Sequence, residues 1–371
     1  MPSSSFADLG VSPQLAKALR RRDITAPFPV QRACIPDVLT GHDVLVQSPT
    51  GSGKTLAFAL PTIQRLPGKA KRPAALVLAP TRELASQIVD EAEELAATRN
   101  LSMCAVYGGV SIARQSREAA SADIVVATPG RLEDLLQRRA LTLAHVRVLV
   151  LDEADRMLDM GFRPAVDRIV SLTPSSRQTL LFSATLEGEV GRVAKAYTDR
   201  PRRHVIAPPP DRRASIEHRF VRVEHAEKLD TLVGELRRPD RGRTLVFVRT
   251  KRGADRLVKR LRRHDLDAVG MHGDKSQSQR EKALARFEDG EIDTLVATDV
   301  AARGIDVAGI THVINFDAPD TRDAYVHRIG RTGRAGARGV GITFVLDDQA
   351  RDLATIAGQL RLEREFAAHR L

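Results

Sequence analysis

Asp43-Val44-Leu45-Val46-Gln47, followed by Ser48-Pro49-Thr50-Gly51-Ser52-Gly53-Lys54-Thr55 and a helical pattern over Gly53–Ile63, is the stretch that decides the fold. A short β-type apolar run ends in a glycine-rich loop that opens into a helix. Such glycines let backbone N–H groups turn inward around phosphate oxygens, and the helix N-terminus adds positive potential. Lys54 can neutralise terminal phosphates, and the Thr55 hydroxyl can hold Mg²⁺. The usual pattern begins with Gly or Ala; Ser48 is small enough to take that place. An ordinary Gly-rich turn is the competing reading of this segment alone.

Outward from this loop, short β-type runs alternate with helical patterns. Strands are expected at Asp43–Gln47, Ala74–Ala79, Ser102–Val106, Asp123–Ala127, Val146–Asp152 and Gln178–Ser183. Helical patterns lie between them at Thr81–Ala97, Ser111–Ala119 and Leu186–Tyr197. Continuous Val/Leu/Ile runs between amphipathic helices argue for a parallel sheet covered on both faces. The triple proline Pro208-Pro209-Pro210 can continue neither a helix nor a central strand. Beyond it the alternation restarts, with strands expected at Arg219–Val223, Thr244–Val248, Ala268–Met271, Thr294–Ala297, His312–Phe316 and Gly341–Leu346. The reading is α/β: two tandem doubly wound parallel-sheet domains, 1–206 and 215–371, joined by a short linker at 207–214.

Composition narrows the function. The 371 residues suit about two domains, each able to bury a core without disulfides or metals. The longest apolar runs, such as Ala74–Ala79, fall far below the roughly 18 residues of a membrane span. Met1–Gly10 lacks the basic start and apolar stretch of a signal peptide. Cys34 and Cys104, each among apolar residues, read as buried reduced thiols. A cytoplasmic protein is expected. The net charge of +11 raises nucleic acid as a partner. With no Trp and 4% aromatics, base stacking is a poor main binding mode, so a polynucleotide would be held mostly by its backbone.

Two further clusters carry chemistry. Asp152-Glu153-Ala154-Asp155 ends an apolar run, where ligands sit in this fold class. Asp152 is placed to hold Mg²⁺, and Glu153 to orient and deprotonate an attacking water. Alone, the cluster reads as a solvated acidic turn; the phosphate loop upstream reverses that. In His327-Arg328-Ile329-Gly330-Arg331-Thr332-Gly333-Arg334, Arg331 and Arg334 are three apart and could face one point, as arginine fingers do on a transferring phosphoryl group. His327 by itself reads as a structural histidine.

Together these motifs resemble the DEAD-box family of ATP-dependent RNA helicases, built on paired RecA-like domains; residues 152–155 spell the family's name. The resemblance runs from Phe6 to about Leu346. It implies that Phe6 and Gln31, the latter in Pro27-Phe28-Pro29-Val30-Gln31, recognise adenine, although Phe28 stands where the family often has Thr. It implies ATP contacts from Thr50, Gly51, Ser52, Gly53, Lys54, Thr55, Asp306, Arg331 and Arg334. The catalytic set is then Lys54, Asp152, Glu153, His327, Arg331 and Arg334, with Thr55 and Asp152 on Mg²⁺. Asp155, Ser183 and Thr185 would couple ATP state to RNA grip, by hydroxyl hydrogen bonds towards Asp155 and His327. RNA contacts are implied for Pro80, Thr81, Arg82, Gly108, Gly109, Thr128, Pro129, Gly130 and Arg131, and for Thr250, Gln277, Arg280, Thr298 and Arg303. Arg249, Lys251 and Arg252 read equally well as a solvated face.

The resemblance implies ATP held between the domains and RNA bound through backbone and 2′-OH with little sequence specificity. The expected activity is RNA-stimulated ATP hydrolysis with local, non-processive unwinding or remodelling of RNA. Protein partners would supply targeting. An ATP-gated RNA clamp without productive unwinding is the alternative.

Overall fold

The computed structural model describes residues 5–49, 51–68, 70–206, 216–302, 307, 309–333 and 337–368, and of these the side chains of Gln277 and Val300 are not described. The linker expected at 207–214 lies outside them, as do Thr50, Arg303, Asp306 and Arg334. The chain divides into two compact units, Met1–Pro208 and Pro209–Leu371.

The first unit is a seven-stranded parallel sheet. Its strands are β1 (Val44–Gln47), β2 (Ala75–Leu78), β3 (Met103–Val106), β4 (Ile124–Ala127), β5 (Val148–Leu151), β6 (Gln178–Ser183) and β7 (Arg202–Val205), in the order β3-β4-β2-β5-β6-β1-β7. Side chains alternate across a strand, and both faces are buried. Val148 and Val150 join one core cluster while Leu149 and Leu151 join the other. This is why the central strands read as unbroken apolar runs. Edge strand β7 is the exception: Arg202, Arg203 and Val205 are exposed, so no apolar run announced it.

Register lines up the strand ends. Gln47 pairs with Ser183, Leu181 with Leu151, Leu151 with Leu78, Leu78 with Ala127, and Ala127 with Val106. The loops leaving β1 to β6 therefore open along one edge. The helix Lys54–Arg65 is anchored beside them: Leu56, Ala57, Phe58, Leu60 and Ile63 are buried. The Phe58 ring meets Phe182 of β6 edge-on, with centroids 5.3 Å apart, a contact worth about 0.5–1.5 kcal/mol beyond burial.

The second unit is a six-stranded parallel sheet of β8 (Ile216–Arg222), β9 (Arg243–Phe247), β10 (Val269–Met271), β11 (Thr294–Ala297), β12 (Ile310–Asn315) and β13 (Gly339–Val345), in the order β10-β11-β9-β12-β13-β8. It too has a core cluster on each face. Among the described residues no helix is long and apolar enough to cross a membrane. Both cysteines are free; Cys34 is buried, but Cys104 on β3 is only partly covered, because β3 is the outermost strand on its side of the sheet.

Candidate active site

The phosphate loop leaves β1 and is closed at both ends. The Ser48 N–H donates to the Ser183 carbonyl at 2.9 Å, and the Ser48 hydroxyl donates to Ser52 Oγ at 2.6 Å. Ser48 thus adds a brace across the loop that Gly or Ala could not. Gly53 caps the helix in the left-handed region, φ +84°, where a side chain is strained. A Cβ there would also lie 2.6 Å from Phe28 Cδ2 and 2.7 Å from Gln31 Nε2. Lys54, the first helical residue, is buried.

Gln31 lies one turn into the helix Pro29–Leu39 and is 1% exposed. Its Oε1 accepts the Phe28 N–H at 2.8 Å, and its Nε2 donates to the Gly53 carbonyl at 2.9 Å. A primary amide has two acceptor lone pairs and two donor hydrogens. One of each remains, which is what the N6/N7 edge of adenine requires. Phe6 is buried in the core cluster that also holds Val30 and Cys34.

Asp152 and Glu153 leave β5, next to β6 in the sheet. The Asp152 N–H donates to the Leu78 carbonyl at 2.9 Å, which fixes the turn, and Asp152 Oδ1 accepts the Glu153 N–H at 2.9 Å. Burial pushes the Asp152 carboxyl up to about 6; Lys54 pulls against this, while Glu153 and Asp155 add to it. Glu153 sits at φ +50°, ψ +52°, a left-handed conformation that costs a non-glycine residue about 1–2 kcal/mol. Its carboxylate is held by Arg156, one turn along the helix Ala154–Asp159, and both side chains are buried. Asp155 and Ser183 meet through the backbone. Asp155 N–H donates to Ser183 Oγ at 3.3 Å, and Ala184 N–H to Asp155 Oδ2 at 3.0 Å. The Thr185 N–H reaches Ser183 Oγ at 3.4 Å. Within this unit the coupling set is therefore joined through the Ser183 hydroxyl, which accepts the Asp155 and Thr185 N–H groups.

The other half of the same edge carries the residues expected to touch polynucleotide. Pro80 and Thr81 follow β2, and Thr81 caps the helix Arg82–Ala97 by accepting the Leu84 N–H at 3.2 Å. The Arg82 guanidinium lies over Gly108 and Gly109 beyond β3; a Cβ on Gly109 would overlap its Nη1 at 2.3 Å. Thr128 and Pro129 start the helix Pro129–Gln137 beyond β4, with Gly130 and Arg131 in its first turn. Arg131 Nη1 donates to the Val110 carbonyl at 3.1 Å and to Gln115 Oε1 at 2.9 Å. The loops after β2, β3 and β4 are thus tied to one another by two arginines.

The second sheet orders its candidates in the same way. Thr250 follows β9 and caps the helix Lys251–Arg262, accepting the Gly253 N–H at 3.0 Å. Thr298 follows β11, and buried Arg280 lies on the helix Gln277–Glu288 next to β10. Arg249 pairs with Asp320, and Lys251 with Asp274. His327 and Arg331 lie at and just past the end of the helix Arg322–Ile329. Arg331 is buried, and its Nε donates to the His327 carbonyl at 3.1 Å.

Sequence reasoning missed the residues that hold these turns. Arg328 grips both Asp299 oxygens at 2.6 Å, donates to Asn315 Oδ1 and the Asp317 carbonyl, and lies 5.1 Å from the Phe247 ring. This buried fork links the loop after β11, the end of β9 and the end of β12 with its following loop to the Arg331 turn. Asp317 also accepts the Arg249 N–H at 2.9 Å and pairs with Lys228 at 2.7 Å. The Glu153–Arg156 pair was visible as an i, i+3 spacing. The Asp299–Arg328 pair, 29 residues apart, had no local signal.

A parallel α/β sheet, a phosphate loop and a buried acidic pair two strands away, across β6, define a phosphate-loop nucleotide-binding protein of RecA-like architecture. Two family models match the chain: DEAD/DEAH box helicase over residues 28–193 and helicase conserved C-terminal domain over residues 226–336. The ATP-dependent RNA helicase CshA of Limosilactobacillus reuteri is 43% identical over 93% of this chain and 69% of its own. CshA of Listeria monocytogenes is 42% identical over 99% and 70%. The structure of S. cerevisiae Dbp5 bound to RNA and ADP-BeF3 superposes with a TM-score of 0.87 at 30% identity, covering 97% of this chain and 94% of that one. The chain belongs to the DEAD/DEAH box helicase family.

Proposed function

We propose that this chain is an ATP-dependent RNA helicase: an RNA-stimulated ATPase that opens short RNA duplexes locally. The observation that carries the reading is the division of one sheet edge. Gln31, Lys54, Asp152, Glu153 and Ser183 occupy the half formed by β5, β6 and β1. Thr81, Arg82, Gly109, Thr128 and Arg131 occupy the half formed by β3, β4 and β2. β2, which leads into Pro80 and Thr81, pairs directly with β5, which leads into Asp152. A change at one half is therefore one strand away from the other.

Each residue has a role in this reading. Gln31 reads adenine with its remaining donor and acceptor. Backbone N–H groups of residues 50–53 and Lys54 bind the phosphates. Glu153, fixed by Arg156, orients a water and accepts its proton. Arg331, with Arg334, stabilises charge on the transferring phosphoryl group, His327 supports that turn, and Asp306 binds the nucleotide. Phe6 supports the adenine side from the core. Thr55 Oγ and the Asp152 carboxylate are hard oxygen donors, and two such groups plus phosphates suffice for Mg²⁺. The buried Asp152 carboxyl, crowded by Glu153 and Asp155, suits a cation. When bound, Mg²⁺ supplies charge neutralisation on the phosphates. RNA is held by Pro80, Thr81, Arg82, Gly108, Gly109 and Thr128–Arg131 on the first sheet, and by Thr250, Gln277, Arg280, Thr298 and Arg303 on the second. We assign the protein to the cytoplasm, a reducing compartment that suits two free cysteines.

Strand displacement on a short RNA duplex with a single-stranded flank tests the reading. The wild-type chain with ATP should release the strand. Glu153→Gln should bind ATP and RNA yet lose turnover by about 10²–10⁴-fold, the range for a general base. ATP-dependent RNA binding without strand release would contradict the helicase reading.

A further inference from the structure

Five large apolar side chains are exposed among the described residues: Phe28, Val110, Leu172, Val205 and Val326. Phe28 alone is aromatic, and it is 56% exposed. Leaving a phenyl ring in water forfeits burial energy, so its location matters. It precedes Gln31 by three residues, and its backbone N–H fills one acceptor site of the Gln31 amide. Its ring lies where a side chain at Gly53 would be, with Cδ2 2.6 Å and Cε2 3.4 Å from the position of that missing Cβ. Gln31 Nε2 lies 2.7 Å from the same point. The ring and the Gln31 amide thus sit side by side against Gly53 of the phosphate loop, and the Phe28 side chain is otherwise largely open to solvent. A hydroxyl at residue 28 could not form such an apolar surface.

We propose that Phe28 is a nucleoside-contacting residue, whose open ring packs on the bound purine nucleoside beside Gln31. The proposal rests on the nucleotide-binding reading above and adds a residue to it. A purine is flat and apolar on its faces, and a ring already seated on Gly53 meets it with little loss of side-chain freedom. Aromatic contacts of this kind are worth about two- to tenfold in affinity.

The test uses the full chain with Phe28→Ala, Phe28→Leu and Phe28→Thr. ADP affinity is measured by titration calorimetry, and KM and kcat for ATP under saturating single-stranded RNA. Phe28→Ala and Phe28→Thr should raise the ADP Kd and the ATP KM by roughly three- to tenfold, with the effect carried by KM and not by kcat. Phe28→Leu, which keeps apolar bulk but no ring, should fall between them and wild type. Unchanged Kd and KM in Phe28→Ala would overturn the proposal. So would a tighter Kd, which would mean that the ring obstructs the Gln31 amide, or a fall in kcat alone, which would mean that it acts only on the loop. A wild-type chain that binds no ADP would overturn the nucleotide reading, and this proposal with it; normal wild-type binding with an indifferent Phe28→Ala sinks the proposal alone.

Discussion

The two halves of the first sheet's edge hold their candidate charged side chains differently: buried on the β5-β6-β1 half, partly exposed on the β3-β4-β2 half, where the buried polar candidates are the neutral Thr81 and Thr128. On the β5-β6-β1 half, Gln31, Lys54, Asp152, Glu153 and Ser183 are all buried; four of them are hydrogen-bonded within this half, and Lys54 acts on the Asp152 carboxyl. On the β3-β4-β2 half, Gly109, Val110 and Gly130 are exposed, and Arg82 and Arg131 are half-covered. Buried charges need fixed partners and are expensive to leave alone, so the first half is preorganised around a small, highly charged ligand. On the proposed function the second half offers arginine, hydroxyl and backbone donors to a long polyanion, through contacts that are individually weak and additive. One half should respond to substitution steeply and the other gradually.

The steepest response is expected for Arg331→Ala on the second sheet. If its guanidinium acts on the transferring phosphoryl group, kcat should fall by about 10³-fold or more. A fall of only a few-fold in single-turnover hydrolysis would remove Arg331 from the nucleotide side. Arg131→Ala should instead weaken single-stranded RNA binding severalfold and reduce the slope of log affinity against log salt by about 0.7, one phosphate contact. Fluorescence anisotropy across a salt series checks this, and an unaltered slope would show that Arg131 only braces Val110 and Gln115.

The smallest effect concerns the two thiols, one under each half. Burial pushes both Cys34 and Cys104 up to about 12. Cys34 is fully enclosed against Ala57 of the phosphate-loop helix, while Cys104 on β3 is partly covered. Both stay protonated at pH 8, so alkylation of the native chain should be slow and should reach Cys104 first. The unfolded chain releases these protons near pH 9 and the folded chain only near 12. The thiols therefore lose stability for the fold as pH rises through that interval. Mass spectrometry of alkylated protein reads the order directly, and Cys34 reacting first would mean that the nucleotide half opens more readily than its packing implies.

The fold was legible wherever strands are buried on both faces, because β2, β4 and β5 are unbroken apolar runs. It was illegible at β7, whose arginines face solvent and whose strand character comes only from pairing with β1. The helix Pro29–Leu39 was also unannounced, since Pro36 interrupts it and its residues are weakly amphipathic. At the site, loop chemistry could be read because glycine spacing and acidic clusters are local. The Gln31 hydrogen bond to the Gly53 carbonyl could not, since it depends on two segments 22 residues apart meeting in space. The Arg328 fork was hidden for the same reason: Asp299, Asn315 and Asp317 converge on it only after three strands have paired.

The central claim is that a nucleotide half and a polynucleotide half share one sheet edge and work together. ATP hydrolysis by the full chain, measured with and without single-stranded RNA and with Lys54→Ala as the blank, tests it most directly. The account predicts slow turnover alone, a saturable rise with RNA, and none in the blank. Equal rates with and without RNA would contradict it.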